Sequence, residues 1–280
     1  MLNRAKPFAI GTSPACLAEG GLKTLRPLGL IRSTLTSPPS IYHLRFGAFG
    51  NGISIYLKSN IAMNILTQLQ QSILLEIGRS PLSNSFYLTG GTALAVYYLY
   101  HRYSVDLDFF TPDPAAVARV PPLMQEIAQQ LELEIAFTRT LGTYLQCFLQ
   151  APDGERVEMD FGQDTPYRLE PTRVDETFHI HVDSLPDMAC NKLSALFDRA
   201  EPKDFVDVYF ICHEAIPFER LVEQTRKKHL GIDDYWLAIA LQRAEQIEIL
   251  PRMIKPFSLT ELKAFFLARA RDLMGGIERE

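Results

Sequence analysis

Hydrophobic residues recur at helical spacing in MNILTQLQQSILLEI, where Ile65, Leu69, Ile73 and Ile77 predict an amphipathic helix opening near Met63. The pattern then shortens. Phe86-Tyr87-Leu88 is an aromatic–aliphatic run suited to a buried strand, and it closes on Gly90-Gly91-Thr92. Beyond it Leu94, Tyr97, Tyr98 and His101 stand at i, i+3, i+4 and i+7, which predicts strand, glycine turn, helix. Alternation with a period of two follows in Val105-Asp106-Leu107-Asp108-Phe109-Phe110. It puts both aspartates on one face and Val105, Leu107 and Phe109 on the other. Further strands are predicted at 132–138, 143–149 and 156–161. The last carries Glu158 and Asp160 on one face and Val157, Met159 and Phe161 opposite.

After residue 183 the period becomes helical. Leu185, Met188, Ala189, Lys192, Leu193 and Leu196 predict a helix to about Ala200. Pro202 opens another, at a position where its missing N–H does no harm. Residues 215–229, 232–248 and 258–274 read as amphipathic helices, separated by Gly231, Pro251 and Pro256. The fold class predicted is α+β, a mixed sheet with flanking helices over 63–183 followed by a C-terminal helical bundle over 184–280.

Composition changes this picture mainly at the N-terminus. Residues 1–62 hold seven Lys/Arg and a single acid, Glu19, with many Pro and Gly and no sustained period, whereas 63–280 carries a net charge of −11. Such a leader fits a targeting peptide. It also fits a misassigned start, with translation beginning at Met63, and the abrupt onset of periodicity there favours this second reading. On either reading 1–62 is expected to add little to the core, and its removal to leave a folded, active protein. With 47% hydrophobic residues the chain can bury a core. No apolar run of about 18 residues is present, so no membrane-spanning helix is expected. Cys16, Cys147, Cys190 and Cys212 are scattered without metal-ligand spacing and read as reduced thiols of a cytoplasmic protein.

The chemistry concentrates between residues 86 and 110. Two glycines let a backbone approach a ligand closely, and amides opening a helix favour phosphate. An ordinary tight turn capped by Thr92 has the same pattern. Side-by-side carboxylates such as Asp106 and Asp108 repel each other unless a cation neutralises them, and Mg²⁺ prefers such oxygens. A solvated acidic strand face is the plain alternative. The 14-residue spacing from Gly-Gly to the aspartates decides against it, because one helix then returns the chain to a neighbouring strand and aims both groups at one spot. Two-metal chemistry calls for a third carboxylate. Asp160 is the first candidate and Glu158 the second, unless both simply face solvent.

The string GGTALAVYYLYHRYSVDLDFF, residues 90–110, resembles the signature of the AbiEii/AbiGii nucleotidyltransferase toxins, within the DNA polymerase β-like superfamily. The resemblance runs from about Met63 through the C-terminal helices. It implies a nucleotidyltransferase-like sheet, triphosphate contacts at Gly90, Gly91 and Thr92, metal ligation by Asp106 and Asp108, and supporting roles for Arg102 and Ser104. NKLSALFDRAEPKDFVDVYFI resembles the family's second signature. By it Lys192 meets the nucleotide phosphates, and Asp204 or Asp207 helps order the site. Implied with these are an NTP substrate, an acceptor that is first of all RNA (a tRNA 3′ end), and the role of a toxin with a cognate antitoxin in phage defence. A protein acceptor and a non-catalytic nucleotide sensor are the alternatives. Arg226-Lys227-Lys228-His229, the densest basic cluster of 63–280, reads either as an RNA-backbone contact or as a solvated helix end. His179 and His181 read as strand residues and not as a metal site.

Overall fold

Residues 65–277 are described by a computed structural model of the chain; the leader expected at 1–62 lies outside them. Helix α1 (Gln68–Arg79) begins where Thr67 accepts from the Gln70 amide while the Gln70 side chain bonds back to the Thr67 backbone. This reciprocal cap satisfies two N–H groups that the first turn leaves unpaired. Leu69, Ile73 and Ile77 of its apolar stripe are buried, as is Ile65 just ahead of it.

The seven strands described form one sheet in the order β3-β4-β5-β2-β1-β7-β6. They are β1 (Tyr87–Thr89), β2 (Leu107–Thr111), β3 (Glu134–Leu141), β4 (Tyr144–Gln150), β5 (Arg156–Gln163), β6 (Arg173–Asp175) and β7 (Ile180–Val182). The sheet is mixed: β2 runs antiparallel to β1 and parallel to β5, and β1 runs parallel to β7. Leu107, Phe109, Val157, Met159 and Phe161 form its apolar face and are buried, with Phe109 stacked on Phe161 at 5.5 Å between ring centroids. Helices α1 and α3 (Val120–Gln130) pack against the sheet and each other. Three strands extend beyond their sequence-predicted ends: hairpin pairing of β3 with β4 carries polar residues such as Arg139 and Thr140 into the ladder, and pairing with β2 carries β5 on to Gln163.

The β1–β2 connection departs from the simple pattern. Helix α2 (Gly90–Leu94) starts at the glycines themselves and widens into a π turn over Ala95–Leu99, ending at Tyr100 in the left-handed region. The heptad-like spacing therefore breaks before His101. That residue leaves the helix and is fully buried against Asp207. Val105, expected on the core face, is instead 64% exposed, because β2 begins only at Leu107 and residues 101–103 pair with 252–255.

The remaining elements are helical. Helix α4 (Leu185–Asp198) is capped by Ser184, and α5 (Pro202–Glu214) carries its proline in the first turn. They are followed by α6 (Phe218–Lys228), α7 (Asp234–Gln242) and α8 (Leu259–Ile277). Helix α4 packs on α2, α5, α6 and α7, and it presents Met188, Asn191, Lys192, Ala195 and Arg199 to a cavity shared with the sheet. The described residues all belong to one compact unit. Among them no helix is long and apolar enough to cross a membrane.

Candidate active site

A cavity of about 410 Å³ lies between the polar face of the sheet and α4. Its floor is made by strand register. Asp108 on β2 pairs directly with Asp160 on the parallel neighbour β5. Adjacent strands lie about 4.8 Å apart, and partners in register project to the same side, so the two carboxylates are forced together. Asp106, just before β2, and Glu158, two residues before Asp160, line the same cavity. Burial, helped by Asp160 and Asp106 and opposed by Lys192, pushes the Asp108 carboxyl up to about 6. Burial likewise raises Asp106 and Glu158 above the usual carboxylate range. On β4, the Tyr144 hydroxyl donates to Asp160 Oδ1 at 2.7 Å, and the Gln146 amide donates to Glu158.

The glycine turn abuts this floor. Gly90 has φ +70°, and a Cβ there would overlap the Asp108 carboxylate. Gly91 faces Arg102 and Ser104, whose Oγ would lie 2.9 Å from an added Cβ. Thr92 does not reach the cavity. Its hydroxyl donates to the Asp106 carbonyl, tying α2 to the start of β2. The N-cap of α2 is Thr89, whose hydroxyl is turned to Asp183 at 2.7 Å.

Cations close the other wall. Lys192 sits 2.8 Å from Asp207, and Arg102 spans both Asp207 oxygens at 2.6 and 2.9 Å. Burial opposes ionisation of Asp207, but Lys192, Arg102 and the hydrogen bonds of Arg102 and His101 outweigh it and hold the carboxyl well below its usual range. Asp207 is thus a fixed negative charge whose role is to position two cations. Asp204 is fully buried outside the cavity lining and binds the Arg199 guanidinium at 2.8 and 2.9 Å, presenting it to the cavity from beneath. Lys203 completes the wall.

Of the residues read from sequence, Gly90, Gly91, Arg102, Ser104, Asp106, Asp108, Asp160 and Lys192 meet at this cavity; Thr92 and Asp204 act behind it. Sequence reasoning missed Tyr144, Gln146, Asn191 and Lys203. Alternation along β4 carried a signal for the first two, since Leu145 between them and Cys147 after them are apolar and buried. The basic cluster is not a free patch. Arg226 pairs with Asp234 and Lys227 with Glu223, His229 bonds Asn191, and Lys228 is buried between Asp187 at 2.8 Å and Asp164 at 3.5 Å. Of the four, Lys228 is thus turned inward, while Arg226 and Lys227 stay at the surface in exposed ion pairs. His181 bonds Thr172, and His179 lies ahead of β7. Cys147 and Cys190 are buried free thiols and Cys212 is half-buried.

The donor set fits Mg²⁺. Among the described residues no group of three or more His, Cys, Asp or Glu side chains is drawn together into a ready cage. Mg²⁺ is typically held by one or two carboxylates, with water and substrate phosphates filling its octahedron. Asp106 and Asp108, with Asp160 in register beside them, offer that partial shell on a face where burial, and after it the neighbouring carboxylates, disfavours their unpaired negative charge.

Residues 72–275 match a family model described as nucleotidyl transferase AbiEii toxin, type IV toxin–antitoxin system. An uncharacterized protein of Aquifex aeolicus (strain VF5) is 27% identical over 214 residues, covering 76% of this chain and 99% of its own. Among solved structures, JHP933 of Helicobacter pylori is similar at a TM-score of 0.49 and 17% identity, covering 78% of this chain and 94% of that one. MenT4, a nucleotidyltransferase toxin of Mycobacterium tuberculosis H37Rv, is similar at a TM-score of 0.45 and 15% identity, over 78% and 84% of the two chains.

Proposed function

The chain belongs to the AbiEii family of nucleotidyltransferase toxins, and from that premise we propose that it transfers a nucleoside monophosphate from an NTP to a hydroxyl at the 3′ end of an RNA, a tRNA first of all. The observation that carries the reading is the in-register pair Asp108–Asp160, set against Gly90 in a cavity whose opposite wall is cationic.

Each residue has a task in such a transfer. The glycine turn lets the Asp108 carboxylate and the Arg102 and Ser104 side chains lie directly against the backbone, and the triphosphate would meet them at that edge of the cavity. Lys192, Arg199 and Lys203 neutralise charge that grows on the phosphates as the bond to the leaving pyrophosphate lengthens. Asp106, Asp108 and Asp160 would hold Mg²⁺, which when bound supplies Lewis-acid stabilisation of the attacking and leaving oxygens. The acceptor hydroxyl forms the new bond to the α-phosphorus, and the bond to the β-phosphate oxygen breaks. Asp160, turned by Tyr144, takes the hydroxyl proton. Arg102, in the cavity wall beside Gly91, supports the phosphate site, while Asp204 and Asp207 position the cations from behind it. In this reading the protein acts in the cytoplasm as the toxin of a phage-defence pair, restrained by a cognate antitoxin.

The test incubates the chain with Mg²⁺, each α-³²P-labelled NTP in turn, and total cellular RNA, followed by separation of RNA from protein. Label in RNA supports the proposal and names the nucleotide. Label in protein alone would replace RNA with a protein acceptor, and label in neither would overturn the transfer reaction.

A further inference from the structure

Two elements that line the cavity meet at one buried aspartate behind it. Asp183 follows β7, precedes Ser184, the cap of α4, and is fully buried. Its Oδ2 accepts from the Thr89 hydroxyl at 2.7 Å. Its Oδ1 accepts from the Ser184 amide at 2.8 Å and from the Arg168 guanidinium. The backbone adds two more ties. The Asp183 N–H donates to the Leu88 carbonyl at 2.9 Å, and the Asp183 carbonyl accepts from the Tyr98 hydroxyl at 2.7 Å. Thr89 ends β1 directly before Gly90, Tyr98 lies in the π turn that extends α2, and Ser184 starts the helix that bears Lys192.

Three donors on one carboxylate exceed what the corner into α4 requires. Ser184 already caps that helix by accepting from the Asp187 amide, so the corner itself calls for no acid at 183. A buried carboxylate is costly, and burial raises the Asp183 pKa against the opposing bonds of Arg168 and Thr89. What the carboxylate adds is a link from the start of α4 to Thr89, 94 residues away in the chain. Asp207 makes a comparable link through side chains, holding both Lys192 and the Arg102 guanidinium beside Gly91. Asp183 makes it through the ends of the elements, the glycine turn on one side and the start of α4 on the other. We infer that Asp183 is a positioning residue for nucleotidyl transfer, which sets the glycine turn against the Lys192 wall and is itself outside the cavity lining. This rests on the nucleotidyltransferase reading of the cavity.

The experiment follows label transfer from the preferred α-³²P-labelled NTP, at varied concentration and in the presence of total cellular RNA. It compares the full chain with Thr89→Val, Thr89→Ser and Asp183→Ala. Valine keeps the shape of Thr89 and loses the hydroxyl, whereas serine keeps the hydroxyl. Urea unfolding gives the folded fraction of each variant, so that every rate refers to folded protein. A misplaced reacting group slows the chemistry more than it weakens binding. In Thr89→Val, kcat should therefore fall roughly tenfold or more while KM for the NTP rises less than about threefold. Thr89→Ser should return kcat to within about threefold of the unaltered chain, and Asp183→Ala, which releases both elements, should lose more than Thr89→Val. A role confined to stability would lower the urea midpoint and leave kcat of the folded protein unchanged. That result for Thr89→Val or for a folded Asp183→Ala overturns the inference and leaves the transferase reading in place, as does an equal loss in Thr89→Ser and Thr89→Val. If Asp183→Ala does not fold, the two Thr89 variants decide. An unaltered chain that transfers no label would overturn both.

Discussion

The tightest constraint in the molecule is the meeting of Gly90 with Asp108, and Gly90→Ala tests it. The backbone there has φ +70°, where an alanine costs about 1–2 kcal/mol. The new methyl would also lie 2.5 Å from the Asp108 carboxyl carbon and 2.8 Å from its Cβ, both on a strand that cannot easily retreat. Overpacking of this kind costs about 1–3 kcal/mol, so the combined loss is roughly 2–5 kcal/mol. For a chain of this size that lowers the thermal midpoint by roughly 4–20 °C, read by circular dichroism. Activity should fall further than stability. Displacing a reacting group by about 1 Å costs on the order of 10²-fold, so NTP turnover should drop at least a hundredfold at a temperature where the variant remains folded. Gly142→Ala is the control, since its Cβ meets nothing within 4 Å, and it should match the unaltered chain in both assays. Wild-type melting and turnover within threefold for Gly90→Ala would refute the placement of the glycine turn against the carboxylate.

Three further outcomes follow from charges in the site and behind it. Asp207→Asn leaves Arg102 and Lys192 buried without their counter-charge and should cost roughly 3–5 kcal/mol in urea unfolding. Because the folded Asp207 pKa is depressed, its contribution is complete above the unfolded value near 3.8 and is lost as pH falls through the lower folded value. The gap between variant and unaltered chain should therefore stay constant from pH 7 to about 4, and a gap that closes at pH 6 would contradict this. Asp108→Asn should act in the opposite sense. The folded pKa of about 6 means that the native state loses stability as pH rises from 3.8 to 6. In EDTA at pH 7.5 the variant should be more stable by up to about 3 kcal/mol, with no advantage left at pH 4; a destabilised variant at pH 7.5 would count against a buried Asp108 carboxyl whose charge the site disfavours. Lys228→Ala removes a buried cation from Asp187 and Asp164 and should destabilise by roughly 3–5 kcal/mol. Lys227→Ala, at the solvent-facing Glu223, should leave the urea midpoint where it is, and similar effects from the two lysines would sink the distinction.

What sequence could reveal of this site was the part held by local period. Alternation placed Asp108, Glu158 and Asp160 on one face, and the spacing from Gly91 to Asp108 required β1 and β2 to be neighbours, as they are. Length alone, however, does not say that β2 lies beside β5, and it is that adjacency that brings Asp160 to Asp108. Ion pairs between distant positions left no local trace. Arg102 and Asp207 stand 105 residues apart, and Lys228 reaches Asp187 across 41. A run of four basic residues looks the same in sequence whether it is solvated or, as with Lys228, folded inward. The π turn over Ala95–Leu99 was hidden for a related reason. It adds one residue per turn to a helix otherwise read at 3.6, which turned His101 out of the predicted stripe and into a buried bond with Asp207.

The central claim is that the carboxylates of β2 and β5 carry out nucleotidyl transfer, and its most direct measurement is single-turnover transfer from the preferred α-³²P-labelled NTP. The unaltered chain, Asp108→Ala and Asp160→Ala would be compared, each first shown by circular dichroism to be folded. The account predicts that both variants lose at least about a thousandfold in rate, as expected when groups acting at the reacting atoms are removed. Transfer by either folded variant within tenfold of the unaltered chain would contradict it and move the chemistry elsewhere in the molecule.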